Sequence, residues 1–216
     1  MSCAVVPVKA LSASKSRMLP DLDRTQLETL ALVMLEDVLA ALCAVPFLDR
    51  VVTLTPDATV AQTARAAGAE TLERPDAGLN AAIDAAARDL ELGRDEPFLV
   101  VLGDVPNVEA QDIETLCQAV EATEGPAVAL APSRDGGSAA LLRVPHAAIP
   151  SCFGSDSARR HRDAARERGV PLFELELHSL QLDLDRPEDL ESFLATSRGG
   201  RATRAFLEPL GRIQRT

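Results

Sequence analysis

The sequence has 216 residues, 46% of them hydrophobic and 25% charged, with a formal net charge of -11. This length suits one domain with a sizeable core, and the acidic balance argues against a general nucleic-acid binder, which needs a broad cationic face. Aromatic residues make up 3%, with no Trp or Tyr, so stacking platforms for single-stranded nucleic acid are excluded too. Cys3, Cys43, Cys117 and Cys152 are far apart and form no C-x-x-C pair, which points to buried free thiols in a reducing cytoplasm. No basic segment leads into a long apolar stretch, and no run approaches the ~20 apolar residues of a membrane span. A cytoplasmic protein without signal peptide or membrane contact is expected.

The elements alternate along the chain. Residues 3–7 (CAVVP) read as a short buried strand. From Arg24 to Ala44 the residues Leu27, Leu30, Met34, Leu35, Val38 and Leu42 recur at helical spacing and give one apolar face. "RVVTLT" at 50–55 is a β-branched strand, and 57–68 a helix ending at Gly68. A short strand near 70–73 precedes the turn "RPDAG", and 79–92 is a helix ending at Gly93. "PFLVVLG" at 97–103 is apolar throughout, as suits a strand covered on both faces. A helix at 110–122 is followed by "PAVALAP" and "SAALLRV", two strands around the turn "SRDGG". A charged helix at 156–169, the strand "PLFELEL" and a helix at 187–195 complete the order. This alternation predicts a three-layer α/β domain with a mainly parallel sheet over residues 1–197. The basic segment 198–216 reads as a mobile or peripherally packed tail.

The loops after the strands carry the candidate chemistry, since ligands of open α/β sheets sit beyond the carboxyl ends of the strands. "PVKALSASKSRM" at 7–18 gathers Lys9, Lys15 and Arg17 among small residues, which suits phosphate oxygens approached closely by backbone. It is neither a Walker A loop nor G-x-G-x-x-G, and a solvated basic loop is the plain alternative. "GDVP" places Asp104 after the most strand-like run, and "LDLDRPEDL" adds Asp183 and Asp185. Two such carboxylates with substrate phosphates make a minimal clamp for Mg²⁺. Asp185 also fits a capping box with Pro187 in the first helical turn, which leaves Asp183 as the favoured ligand. In "GLNAAI", Gly78 and Asn80 open a helix and suit a base or ribose, or simply a helix start. "FGSDSARRH" opens another helix, with Ser155 as expected N-cap. N–H groups near Ser157, helped by Arg159, Arg160 or His161, form an anion site there.

Seven motifs in this order, from "PVKALSASKSRM" through "MLEDVLAAL", "GLNAAI", "GDVP", "GGSAAL" and "FGSDSARRH" to "DLDRPEDL", resemble the CofC/FbiD guanylyltransferases of coenzyme F420 biosynthesis. The resemblance spans roughly positions 3 to 195. Val105 replaces a usual Leu, and Ser138 stands where Thr is common. The resemblance implies a glycosyltransferase-A-like nucleotidyltransferase fold and a divalent metal as the only cofactor. It implies transfer of GMP from GTP to a phosphorylated three-carbon acid, either 2-phospholactate, phosphoenolpyruvate or 3-phosphoglycerate, with release of pyrophosphate. The product would pass to the next transferase of the pathway. On this resemblance Asp104 and Asp183 hold Mg²⁺, Lys15 is catalytic with Asp104, and Lys9, Lys15, Arg17, Gly78 and Asn80 serve the nucleotide. Ser138, Gly154 and Ser157 bind the acceptor. A related sugar-nucleotide transferase and a non-enzymatic nucleotide-binding subunit are the alternatives, and monomer and homodimer both stay open.

If the opening loop is a triphosphate cradle, Lys15→Ala weakens GTP binding and turnover together, because the phosphate charge is present in ground and transition states alike. Steady-state kinetics with GTP varied at fixed Mg²⁺ check this. An unchanged KM and kcat would return the stretch to a solvated loop.

Overall fold

The computed structural model describes residues 2–13, 18, 22–93, 95–196 and 198–213. Seven strands form one sheet among them: β1 (Cys3–Pro7), β2 (Arg50–Thr55), β3 (Glu70–Glu73), β4 (Phe98–Val101), β5 (Ala127–Pro132), β6 (Ser138–Val144) and β7 (Leu172–Glu174). Their order is β3-β2-β1-β4-β6-β5-β7. Strand β6 is antiparallel to β4 and β5, and every other pairing is parallel. The expected hairpin is thus β5–β6, inserted in a mainly parallel sheet.

Side-chain alternation explains why the sheet is covered twice. Along β1, Ala4 and Val6 join one core while Cys3 and Val5 join the other, because successive residues of a strand face opposite ways. Helices α1 (Arg24–Cys43), α2 (Ala58–Ala66) and α4 (Ala110–Glu121) pack on the first face. Helices α3 (Leu79–Asp89) and α5 (Ser157–Arg168) pack on the second. This is the three-layer α/β architecture expected. Helix α1 begins with a reciprocal cap: Asp23 accepts from the Gln26 N–H at 2.8 Å, and Gln26 accepts from the Asp23 N–H at 2.8 Å.

Three segments depart from the sequence reading. The strand expected at 171–177 shrinks to β7, followed by a 3-10 turn at His178–Leu180, so Asp183 does not follow a strand. Asp185 does not cap α6 (Pro187–Ala195): Asp189 reaches back to accept from the N–H groups of Arg186 at 2.7 Å and Asp185 at 3.0 Å. The box is shifted by one residue because Pro187 occupies the first helical position, which makes Asp189 the third. The third is the basic tail, which contains helix α7 (Arg201–Ile213), with Leu207 buried beside Leu27, Leu30 and Phe193. Of the cysteines, Cys3 and Cys117 are buried as expected, whereas Cys43 is exposed and Cys152 half-buried. No described helix is long and apolar enough to cross a membrane.

Helix α7 is tied down by a cap from another helix. Asp37 of α1 accepts from the N–H groups of Ala202 at 2.9 Å and Thr203 at 2.8 Å, and from the Thr203 hydroxyl at 2.7 Å. A carboxylate at a helix start satisfies orphan donors and opposes the helix dipole. Asp37→Ala is therefore expected to cost about 1–2 kcal/mol and to raise hydrogen exchange in 201–210 beyond the rest of the chain. Thermal unfolding and exchange mass spectrometry measure both.

Candidate active site

A cleft of about 550 Å³ opens at the carboxyl ends of β1, β2 and β4. The strand order reverses between β1 and β4, and at such a reversal an open parallel sheet leaves a crevice. The volume lies in the range of small-molecule sites. Lys9, Thr55, Asp104, Ser138, Gly154 and Ser157 all line it. Strand β6 runs against β4, so its first residue, Ser138, starts at the edge where β4 ends. The Leu102 N–H donates to the Ala139 carbonyl at 3.0 Å, which fixes that register.

The two expected metal ligands meet here. The Leu184 N–H donates to the Asp104 carbonyl at 2.9 Å, and Asp104, Asp183 and Asp185 all line the cleft. One backbone hydrogen bond, rather than a strand ladder, brings the later segment to Asp104. Among the described residues no three acidic, His or Cys side chains are grouped tightly enough to enclose a metal. The donor set suits a hard cation that takes its remaining ligands from phosphate and water. Gly103 precedes Asp104 where a Cβ would lie 3.1 Å from Val8.

The loop expected to meet the acceptor is held at residues 151–153. Three successive backbone N–H groups are each bonded by a helix side chain. Ser151 donates to Asp84 at 3.3 Å, Cys152 to His161 Nε2 at 2.9 Å, and Phe153 to Asn80 Oδ1 at 2.7 Å. The Asn80 amide nitrogen also donates to the Phe153 carbonyl at 3.1 Å. Asn80 does not line the cleft, although its neighbour Leu79 does; its amide serves this strap. Gly78 ends the loop before α3 with φ +87° and is likewise absent from the cleft wall. Gly154, at φ +114°, turns the chain from the strap toward α5, and a side chain there would press on Arg160.

The start of α5 differs from expectation. Asp156, not Ser155, holds the cap position, in the left-handed region and without a side-chain bond. The first N–H groups are partly used: Ser157 donates to the Gly154 carbonyl at 3.1 Å, and Ala158 to Gly136 at 3.2 Å. The side chains meant to strengthen an anion site turn elsewhere. Arg159 pairs with Asp163, Arg160 donates to the Phe153 carbonyl, and His161 is fully buried. Ser157, buried yet on the cleft wall, and Ser138 line the cleft as expected, with Ser155 beside them. Lys15 and Arg17 lie outside the described residues. Sequence reasoning missed the 74–76 loop and the turn residues Ser133 and Asp135, which also line the cleft. Nothing in their spacing marks them; only the fold brings them there.

Residues 2–214 match the family model described as guanylyl transferase CofC like. The chain is 42% identical over 197 residues to a phosphoenolpyruvate guanylyltransferase of Sphaerobacter thermophilus, covering 87% of this chain and 90% of that one. It is 32% identical over 188 residues to a 3-phospho-D-glycerate guanylyltransferase of Colwellia psychrerythraea, covering 87% and 88%. A cytidylyltransferase structure from Leptospira borgpetersenii superposes with a TM-score of 0.61 at 14% identity, covering 100% of this chain and 96% of that one. That likeness shows a nucleotidyltransferase fold.

Burial, with Arg143 and Arg160 adding to it, pushes His161 from 6.5 down to about 4. The folded protein keeps the ring neutral, while the unfolded chain takes up its proton below about pH 6.5. Stability from this group is complete above about pH 6.5 and is lost as the pH falls toward 4. Between pH 7 and pH 5, His161→Asn should lose about 2 kcal/mol less stability than the wild type. Denaturant unfolding of both proteins at the two pH values measures the difference.

Proposed function

The chain belongs to the CofC-like guanylyl transferase family, and we propose that it joins GMP from GTP to the phosphate of a small phosphorylated carboxylic acid. It is a nucleotidyltransferase enzyme. Phosphoenolpyruvate and 3-phosphoglycerate, named in its relatives, are the first acceptors to test, with 2-phospholactate beside them. The observation that carries the reading is that Lys9, the carboxylates of Asp104 and Asp183, and the hydroxyls of Ser138 and Ser157 all line one cleft.

In the proposed reaction an oxygen of the acceptor phosphate attacks the α-phosphorus of GTP. The bond from that phosphorus to the bridging oxygen breaks, and pyrophosphate leaves with the electron pair. A phosphate monoester is already largely ionised near neutrality, so no side chain has to remove a proton. Two anions must be brought together in line, so positioning and charge neutralisation are the main contributions of the protein. Lys9, with Lys15 and Arg17 of the same loop, would face the triphosphate. Asp104 and Asp183 would hold Mg²⁺, which when bound neutralises phosphate charge. Ser138, Ser157 and the backbone at Gly154 would orient the acid. Gly78 shapes the approach to α3 on the nucleoside side, and Asn80 supports the acceptor strap rather than the base. The product would pass to the next transferase of coenzyme F420 assembly in the cytoplasm.

Pyrophosphate release from GTP, measured with each acceptor in turn and with Mg²⁺ present or chelated, tests the reading. Release that needs both acceptor and metal is expected; release from GTP alone, or none with any acceptor, would overturn it. Asp104→Asn and Asp183→Asn should each lower kcat on the order of a hundredfold, a loss of ~3 kcal/mol, with the fold intact by circular dichroism.

A further inference from the structure

His161 is fully buried, and both of its ring nitrogens are engaged. Nε2 lies 2.9 Å from the Cys152 nitrogen. A backbone N–H can only donate, so Nε2 is the unprotonated nitrogen. The proton of the neutral ring is then on Nδ1, 2.9 Å from the Ser138 hydroxyl oxygen. The ring plane is fixed from the side by Phe153, whose centroid lies 5.0 Å away at 72°. The charged groups around the ring, Arg143, Arg160 and Asp84, are two cations and one anion, a balance that opposes a second ring proton. Ser138 is 1% exposed but lines the cleft, and no other hydrogen bond to its hydroxyl is found among the described residues.

A hydroxyl carries one proton and can accept into its lone pairs. With a lone pair filled by Nδ1–H, the Ser138 hydroxyl is left with its own proton to give. We propose that His161 is a positioning residue for acceptor binding: its Nδ1–H holds Ser138 as a hydrogen-bond acceptor, so that the Ser138 proton is presented to an oxygen of the phosphorylated acid. A serine with a free rotor would offer lone pair and proton alike. Held this way, it favours an anionic oxygen over a hydroxyl that needs an acceptor. The same contact couples the acceptor strap to the site, because the other nitrogen of the ring holds Cys152. This inference rests on the placement of the acid beside Ser138.

Two substitutions separate the two nitrogens. The amide of His161→Asn reaches the Nδ1 position and can donate to Ser138, but it loses Cys152. The longer His161→Gln reaches the Nε2 position and can accept from Cys152, but it loses Ser138. With phosphoenolpyruvate and 3-phosphoglycerate as probes, His161→Gln should raise the acceptor KM by about tenfold, the size of one lost hydrogen bond. The GTP KM should stay within about twofold. His161→Asn should keep the acceptor KM within about threefold of wild type, and in a Ser138→Ala background His161→Gln should add nothing. The reverse ranking, or equal KM values in both variants, overturns the proposal. Should both variants misfold, the wild-type ¹H–¹⁵N spectrum of the ring decides. A protonated Nδ1 and bare Nε2 from about pH 8 to about pH 5, with the Nδ1–H signal moved by saturating acceptor, supports it. The opposite tautomer, or a signal blind to acceptor, refutes it. Absence of guanylyl transfer with every acceptor would instead fault the functional reading, and the tautomer would still be measurable.

Discussion

The reversal of strand order at β1 governs everything else in the molecule. β1 is bonded on one side to β2 and on the other to β4, so the chain leaves it in one direction and later returns on the other side. Helices α1 and α4, which follow these two strands, pack on the same face of the sheet, so the loops beyond β1 and β4 open side by side at one end of it. The sheet is covered on both faces by apolar cores, so the open edge beyond the strand ends is the place where polar side chains can face a ligand without desolvation. Lys9 and Asp104 are there because they are the second residue past β1 and the third past β4. Ser138 joins them because an antiparallel β6 starts where β4 stops.

The loop before α5 depends on a different device, a strap with little regular structure held by the buried His161 and the half-buried Asp84 and Asn80. Unpaired backbone N–H groups in a buried loop are costly, and this strap has its donors at 151, 152 and 153 taken by Asp84, His161 and Asn80. Asp84 is itself held by Arg143, 1% exposed, which also donates to the Ile149 carbonyl at 2.9 Å and lies over Phe98. Breaking such a buried pair leaves a charge with no counterpart, which costs more than the pair's net contribution. The network therefore acts as a unit. It joins α3 to the loop that presents Gly154 and Ser157.

Much of this was legible from the residues, and the gaps have physical causes. The α1 stripe and the apolar run of β4 gave their elements because periodicity reports burial directly. The segment after β7 was misread as a longer strand because "FELEL" alternates as a strand does, while in the fold only Leu172–Glu174 finds a partner. The α6 cap slipped by one residue because Glu188 and Asp189 both suit the third helical position, and the place of Pro187 at the first makes it Asp189. Asn80 and His161 carried polar groups whose partners, Phe153 and Ser138, are 73 and 23 residues away; no local pattern encodes such a pairing. The helix of the supposed tail was hidden for the same reason, since its cap comes from Asp37, 165 residues earlier.

The placement of charge then follows from the chemistry. An acidic chain could take the two anions of the proposed reaction because screening confines exposed charges to ~8–10 Å, which leaves the groups lining the cleft to set the local charge. On α5, however, Arg159 and Arg160 are turned to Asp163 and Phe153 rather than into the cleft, and the side chain that this helix offers the cleft is the neutral hydroxyl of Ser157. A cation would attract any phosphorylated acid almost equally well. A hydroxyl with a fixed donor direction instead rewards an oxygen in one place and leaves a buried proton unsatisfied if none is there. Attraction supplied from the nucleotide side and orientation from neutral donors on the other would let one fold serve relatives that take phosphoenolpyruvate or 3-phosphoglycerate, with the choice made by a few atoms around Ser138.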